Sequence, residues 1–302
     1  MSSLGIGIDV GGTKTALALV SSQGQVLEKE TFPTEPEKGF PDFIARVKES
    51  YHRLSAPYQS KLAGQPVGLA TPGPFDLQKG MMYDSPNLHW GDLKLGEEFE
   101  KALGTRVIWQ NDATSAGFAE YLFGAGQGSK TMVYITISTG IGGGVVCDGK
   151  FLTGAMGNGA EFGHMPLVPG GERCNCGTLG CWEAYASGTA IGKIATKLRR
   201  RKTTARDVGD AWKRGEDWAA EIIRQTVLYS GQGVAIVAQN FDPDCIVFGG
   251  GVALGLGEQY IQAIKKEAEK ISINLHFGET KFVLAALGSD SSLIGAAALT
   301  FS

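Results

Sequence analysis

A unit of strand, glycine-rich turn and strand occurs twice in this chain, and that repeat narrows the fold more than any other feature. The first copy is "LGIGIDVGGTKTALALVSSQG", residues 4–24, and the second is "TMVYITISTGIGGGVVCDG", residues 131–149. Each reads as an apolar strand, a Thr/Gly-rich turn, a second apolar strand and a closing turn. A unit duplicated at this length predicts two related domains. Strands are expected at Leu4–Asp9, Thr15–Val20 and Val26–Thr31, then at Val67–Ala70 and Val107–Gln110. Helices are expected over 43–54 and 113–123, and "GAGQGSK", residues 124–130, reads as the junction. After the second copy come helices around 183–199 and 219–240, a strand in "DCIVFGGG", a helix over 258–270 and a short small-residue helix over 291–301.

The turns themselves point to phosphate. Gly7 and Gly12 have P-loop spacing, but Thr13 and Lys14 follow in the wrong order, and the next residues alternate like a strand. A dinucleotide fingerprint also requires a helix there. The remaining reading is a hairpin whose turn amides cradle phosphate oxygens, with Asp9 at the strand end to reach a phosphate-bound Mg²⁺. A plain glycine hairpin with a capping Asp would look the same in one copy. The second copy, Thr139 to Gly144, favours phosphate.

Bulk properties exclude several classes. The 302 residues are 43% hydrophobic and 20% charged, as in ordinary globular proteins. A net charge of −3 offers no field for nucleic acid or a membrane surface. The one dense basic run, "KLRRRK" at 197–202, is expected to be a solvated helix end. No charged-then-apolar leader opens the sequence, and no apolar run reaches the ~20 residues of a membrane helix. Five cysteines, an odd number, argue for reduced thiols in the cytoplasm. The 44 glycines are about twice the usual share of roughly 7%, which implies tight turns and close backbone approaches.

Cys174, Cys176 and Cys181 crowd into one Gly-rich loop, ten residues after His164. Three thiolates and an imidazole make a closed, structural zinc site. Cys147 and Cys245 sit in apolar strands and read as core residues. His52, His89 and His276 default to surface roles, with His89 notable for its place in "SPNLHW". Asp112 ends a strand and starts a helix, where the helix terminus is expected to keep its carboxylate ionised. By itself it reads as a helix cap, with Asn111 as the other candidate for that role.

"DVGGTK", "NDA", "STGIGGG", "EFGH", "CNCGTLGCWE" and "FGGG" occur in the order found in the ROK family of sugar kinases and sugar-sensing repressors, and the chain resembles that family along nearly its whole length. The resemblance implies the actin-like (ribonuclease H-like) ATPase fold, with two α/β domains and a cleft between them. The first would cover 1–123, completed by the C-terminal helix at about 290–302, and the second 124–289. It implies transfer of the γ-phosphate of ATP-Mg²⁺ to a hexose. Asp9, Gly11, Gly12, Thr13, Lys14, Thr139 and Gly140 would line the phosphates, and Gly249, Gly250 and Gly251 the adenosine. Asp112 would be the general base. Gly73, Asn87, Asn111, Glu161, His164 and Glu183 would complete the sugar site, His164 sharing its two nitrogens between sugar and Zn²⁺. The family also suggests a homodimer.

Glucose is the first expected sugar; N-acetylglucosamine, N-acetylmannosamine, mannose and fructose are the alternatives. The "SPNLHW" loop departs from the family's Asn-Leu-Pro-Gly-Trp, which leaves the preference open, and the sequence does not choose between ATP and polyphosphate as donor. A DNA-binding repressor would carry a winged helix before the first phosphate strand, which here begins at residue 4. A dead sugar-binding scaffold is opposed by the intact Asp9, Asp112 and Glu161.

Overall fold

In the computed structural model, which describes residues 3–301, the chain divides into two compact units. The first comprises the chain up to Phe123, Phe151–Gly159 and the chain from Ser289; the second comprises Gly124–Lys150 and Ala160–Gly288. The segment Phe151–Gly159, within the range expected for the second domain, packs with the first unit.

The first unit contains β1 (Leu4–Val10), β2 (Lys14–Ser21), β3 (Val26–Pro33), β4 (Val67–Thr71) and β5 (Val107–Asn111), in the sheet order β3-β2-β1-β4-β5. The β1–β2 and β2–β3 pairs are antiparallel, while β1–β4 and β4–β5 are parallel. Asp9 pairs with Ala70, and Thr71 with Asn111, so Asp9, Thr71 and Asn111 stand together at the carboxyl ends of the parallel strands. That edge is where α/β sheets carry their ligands.

Ile6 and Ile8 on β1 join a core with Phe43 and Val47 of α1 (Phe40–Ser55) and Phe99 of α2 (Leu95–Leu103). Helix α3 (Asp112–Phe123) follows β5 directly. Small residues shape the other sheet face. A Cβ on Gly7 would stand 2.3 Å from the Leu293 carbonyl oxygen, and one on Gly68 would stand 1.7 Å from that of Ala296.

The second unit repeats this arrangement. Its sheet is built on β6 (Thr131–Ile137), β7 (Ile141–Cys147), β9 (Cys245–Gly249) and β10 (Lys281–Leu284), with β8 (Lys150–Phe151) at the edge where the chain passes to the segment 151–159, in the order β8-β7-β6-β9-β10. Here β6–β7 is the antiparallel hairpin, and β6–β9 and β9–β10 are parallel. Helices α4 (Gly188–Arg199), α5 (Ala205–Lys213), α6 (Asp217–Phe241), α7 (Gly250–Leu256) and α8 (Glu258–Glu269) belong to this unit. Its core joins Val133 and Ile135 to Val234 of α6 and Ile261 and Ile264 of α8. The fully buried Trp182 lies over Gly233 of α6 and donates its indole N–H to Ser230 at 3.3 Å. Among the described residues no helix is long and apolar enough to cross a membrane.

The chain's last helix, α9 (Ser291–Ala298), returns to the first unit and supplies the carbonyls that approach β1 and β4. Gly68→Ala should therefore cost about 3 kcal/mol, the upper part of the usual overpacking range, because the clash is with backbone that cannot rotate away. Gly278→Ala, where an added Cβ meets nothing within 4 Å, should change stability by no more than about 0.5 kcal/mol. Urea unfolding of the two variants checks the contrast.

Candidate functional site

In the first unit, the glycine turn between β1 and β2 is closed by the Gly11 amide donating to the Lys14 carbonyl at 3.0 Å. A strut from outside the turn fixes it. The fully buried Thr34 donates its hydroxyl to the Gly11 carbonyl at 2.6 Å and its amide to the Thr13 carbonyl at 3.0 Å, and its hydroxyl lies 2.9 Å from that of Thr15. Arg46 of α1 in turn donates to the carbonyls of Pro33 and Thr34 at 2.5 and 2.8 Å. Neither Thr34 nor Arg46 carries a motif that the sequence could flag. Gly12 has a second partner: a Cβ there would lie 2.9 Å from the Asn87 carbonyl oxygen, so the "SPNLHW" loop rests on the turn. Asn87 and His89 in that loop are exposed, His89 with a φ of 51°. Gly73 lies in a second loop, which Asn158 pins by donating to the Phe75 carbonyl at 2.7 Å and accepting from its amide at 3.3 Å. Asn158 likewise has no signature in the sequence.

Two carboxylates stand at the end of this sheet. Asp9 accepts a hydrogen bond from the Ser292 hydroxyl at 2.8 Å. Burial, followed by the charge of Asp112, pushes its pKa from 3.8 up to about 6, against the Ser292 bond and the Lys14 charge. Asn111 is the helix cap: its Oδ1 accepts from the amides of Ala113 and Thr114 at 2.9 and 3.1 Å, which leaves its Nδ2 as the group free of the cap. Asp112 accepts from the Ala113 amide at 2.7 Å. The expectation that the helix terminus keeps Asp112 ionised is corrected here. Burial of its carboxyl raises its pKa and outweighs the backbone hydrogen bonds. Asp9, an oxygen donor whose ionised form its surroundings destabilise, fits as a ligand for a divalent cation of the Mg²⁺ type.

In the second unit, the turn of Ser138, Thr139 and Gly140 opens β7 and borders a cavity of about 940 Å³. That volume lies within the usual range for nucleotide-sized ligands. Thr139 lines it, and so does Gly251. Gly249 and Gly250 are not among its lining residues. A Cβ on Gly249 would stand 2.0 Å from the Tyr134 hydroxyl, and one on Gly250, whose φ is 85°, would stand 2.5 Å from the Ile137 carbonyl oxygen. The basic run at the end of α4 is exposed, as expected, and two of its residues, Lys197 and Lys202, border the same cavity with Lys193, Arg206 and Lys213.

The ligand atoms of His164, Cys174, Cys176 and Cys181 lie within 4.8 Å of one another. Cys174 Sγ is 3.7 Å from His164 Nδ1, and Cys176 Sγ is 3.7 Å from Cys181 Sγ. A tetrahedral zinc ion with bonds of about 2.0–2.3 Å sets its ligands roughly 3.5–3.8 Å apart, so the donor set fits the ion in chemistry and these two pairs stand at its spacing. His164 turns its other nitrogen, Nε2, toward Glu161 Oε2 at 4.0 Å. Burial pushes the Cys174 thiol up to about 12; at Cys176 hydrogen bonds from Thr178 and the neighbouring cysteines overcome burial and bring it down to about 7. Glu183 accepts from the Ile141 amide at 2.9 Å, while its Oε1 lies 3.5 Å from Cys174 Sγ.

Asp9 has a raised pKa in the fold, so its ionised form lowers stability. That cost is present in full above pH about 6 and vanishes below its unfolded value of 3.8. Asp9→Asn should therefore raise the melting temperature by a few degrees at pH 8 in the absence of divalent cation, an effect of about 1–3 kcal/mol. The gain should disappear near pH 4. Calorimetric scans at the two pH values test this, and a variant less stable than the wild type at pH 8 would contradict it.

The ROK family model matches residues 5–302. A glucokinase of Halalkalibacterium halodurans is 33% identical over 96% of this chain and 92% of its own length. An N-acetylmannosamine kinase of Salmonella heidelberg is 32% identical over 97% of both. Among solved structures, a ROK hexokinase from Thermus thermophilus superposes with a TM-score of 0.86 at 35% identity, covering 99% of this chain and 98% of that one. A ROK family glucokinase from Streptomyces griseus, in complex with glucose and AMPPNP, gives 0.82 at 31% identity over 98% and 99%. With these matches spanning its whole length and both glycine turns in matching sheets, the chain belongs to the ROK family, and its fold is that of the actin-like ATPase sugar kinases.

Proposed function

We propose that this chain uses ATP to phosphorylate a hexose, and that the hexose is glucose, modified at its 6-hydroxyl. The observation that carries the reading is Asp112, a carboxylate with raised basicity at the end of β5, in the same unit as Asp9 and the first glycine turn. An ordinary carboxylate is a weak base at neutral pH, and a raised pKa brings it closer to the task. Asp112 takes the proton of the sugar hydroxyl as that oxygen attacks the γ-phosphorus. The bond from phosphorus to the β–γ bridging oxygen breaks, ADP leaves, and Asp112 passes its proton to solvent. Mg²⁺, held by Asp9 and the donor's phosphates, would neutralise charge on the transferred group.

Gly11, Gly12, Thr13 and Lys14 on one turn, with Thr139 and Gly140 on the other, are the proposed phosphate contacts. Adenosine would lie beside Gly251 in the cavity, with Gly249 and Gly250 behind it. The sugar hydroxyls would be met at Gly73 and Asn87, by Asn111 through Nδ2, and by Glu161, His164 through Nε2, and Glu183. Zn²⁺ at His164, Cys174, Cys176 and Cys181 is structural in this reading, since four protein ligands leave no open position. The same reading gives a cytoplasmic homodimer that binds neither nucleic acid nor membrane. Leu228 and Ile236 on α6, with Ile271, Ile273 and Leu275 beyond α8, offer exposed apolar surface for the second copy.

Glucose is favoured over the other sugars by the glucokinase relatives, and N-acetylmannosamine is the first alternative because kinases for it match nearly as well. ADP release from purified protein with glucose, mannose, fructose, N-acetylglucosamine and N-acetylmannosamine decides between them. Glucose should lead in kcat/KM. A tenfold preference, about 1.4 kcal/mol, for another sugar would remove glucose and leave the kinase.

Asp112→Asn keeps shape and the Ala113 hydrogen bond but cannot take a proton. Its kcat should fall by about 10²–10⁴-fold while glucose affinity by calorimetry stays within a few-fold. A fall smaller than about fivefold would place the base elsewhere and leave Asp112 a structural residue.

A further inference from the structure

Glu183 touches two centres at once. Its Oε2 accepts from the Ile141 amide at 2.9 Å, and the same oxygen lies 2.3 Å from where a Cβ on Gly140 would stand. The carboxylate thus fills the space beside the second glycine turn that any larger residue would need. Its other oxygen lies 3.5 Å from Cys174 Sγ in the cysteine cluster. Two residues before it is Cys181, itself in the cluster and fully buried, and Trp182 between them is locked in the core. The chain just after Glu183 grips the same turn: the Gly188 amide donates to the Ser138 carbonyl at 2.7 Å, and the Thr189 hydroxyl donates to the Thr139 carbonyl at 2.8 Å. The turn therefore rests on a short stretch of chain whose first anchor is a metal-ligand set.

We infer that Glu183, besides its proposed contact with the sugar, positions the second glycine turn and so couples metal loading of the cysteine cluster to binding of the phosphate donor. The inference rests on the proposal that Thr139 and Gly140 contact the donor's phosphates. A metal at the cluster fixes Cys181, and through the two-residue link from it the carboxylate that orders the Ile141 amide. Without the metal, the loop from Val168 to Cys181 has four glycines at 170, 171, 177 and 180 and little apolar content to order it. Glu183 then loses its fixed place, and the turn loses a partner. A metal that touches neither substrate would in this way set the affinity for the donor. By linkage, the donor raises metal affinity by the same factor.

The test measures ADP affinity by calorimetry, without sugar, for metal-loaded and chelator-stripped protein, in the wild type, Glu183→Gln and Glu183→Ala. Stripping should weaken ADP binding by about 5- to 30-fold in the wild type, within the usual range of coupling. The ratio should shrink to within about twofold in Glu183→Ala, with Glu183→Gln between them. Saturating ADP should tighten zinc binding, read by competition with a chromogenic chelator, by the same factor as stripping weakens ADP in each variant: fully in the wild type, partly in Glu183→Gln and within about twofold in Glu183→Ala. A residue with a merely structural role would shift ADP affinity in both metal states and leave the ratio unchanged. A wild-type ratio of one, or equal ratios in the wild type and Glu183→Ala, overturns the coupling while leaving the donor site intact. Absence of ADP binding even to loaded wild-type protein would overturn the donor reading and the coupling together. If Glu183→Ala fails to retain metal, Glu183→Gln carries the comparison, and an undiminished ratio there counts against the inference.

Discussion

The first unit depends on how closely the last helix approaches its sheet. Carbonyls of α9 come within 2.3 Å of where a Gly7 side chain would start and 1.7 Å of where a Gly68 side chain would start. Only glycine permits that distance. Gly295 of the helix makes the reciprocal contact with α3, where a Cβ would lie 1.9 Å from the Ser115 carbonyl oxygen. This packing delivers the Ser292 hydroxyl to Asp9 and fixes the helix that begins at Asp112. Both acids of the proposed site are thus held by backbone contacts too short for any side chain to replace.

The strand–turn–strand repeat is legible in the sequence because it leaves a local pattern: apolar residues alternate, glycines cluster, and the register needs no distant partner to be guessed. Helix α3 can be read for the same reason, from a strand ending in "ND". Helix α2 escapes a sequence reading although Leu95, Phe99 and Leu103 recur at four-residue spacing before Gly104, because nine residues give a short pattern. Helix α5 escapes it despite the Thr204–Asp207 capping box. The cysteine cluster is legible because ligand type and spacing are local as well. The clasp by Thr34 is not, because it depends on β3 arriving beside a turn some twenty residues earlier.

Charge is the least legible property. Asn111 and Asp112 are both possible caps by sequence, and only the fold assigns the cap to Asn111 and leaves Asp112 half-buried beside Asp9. The charge of Asp112 adds to the cost of ionising Asp9, since a like charge nearby and the loss of water act in the same direction. Lys14 and the Ser292 hydroxyl offset only part of that cost. A site that bears such strain is prepared for a ligand that relieves it, and a donor arriving with a divalent cation meets that description.

Neither unit is a single run of chain, and this has a consequence for how the protein is made. Strand β1 leaves the ribosome almost three hundred residues before the helix that covers its glycine face. Until α9 is synthesised, the β1–β4 face at Gly7 and Gly68 has no cover from it, while the intervening second unit is continuous apart from one short excursion at 151–159. The second unit can therefore complete its core during synthesis, whereas the first must wait for the last residues. Order of appearance and order of completion are reversed, and the nascent chain carries an open sheet face through most of its translation.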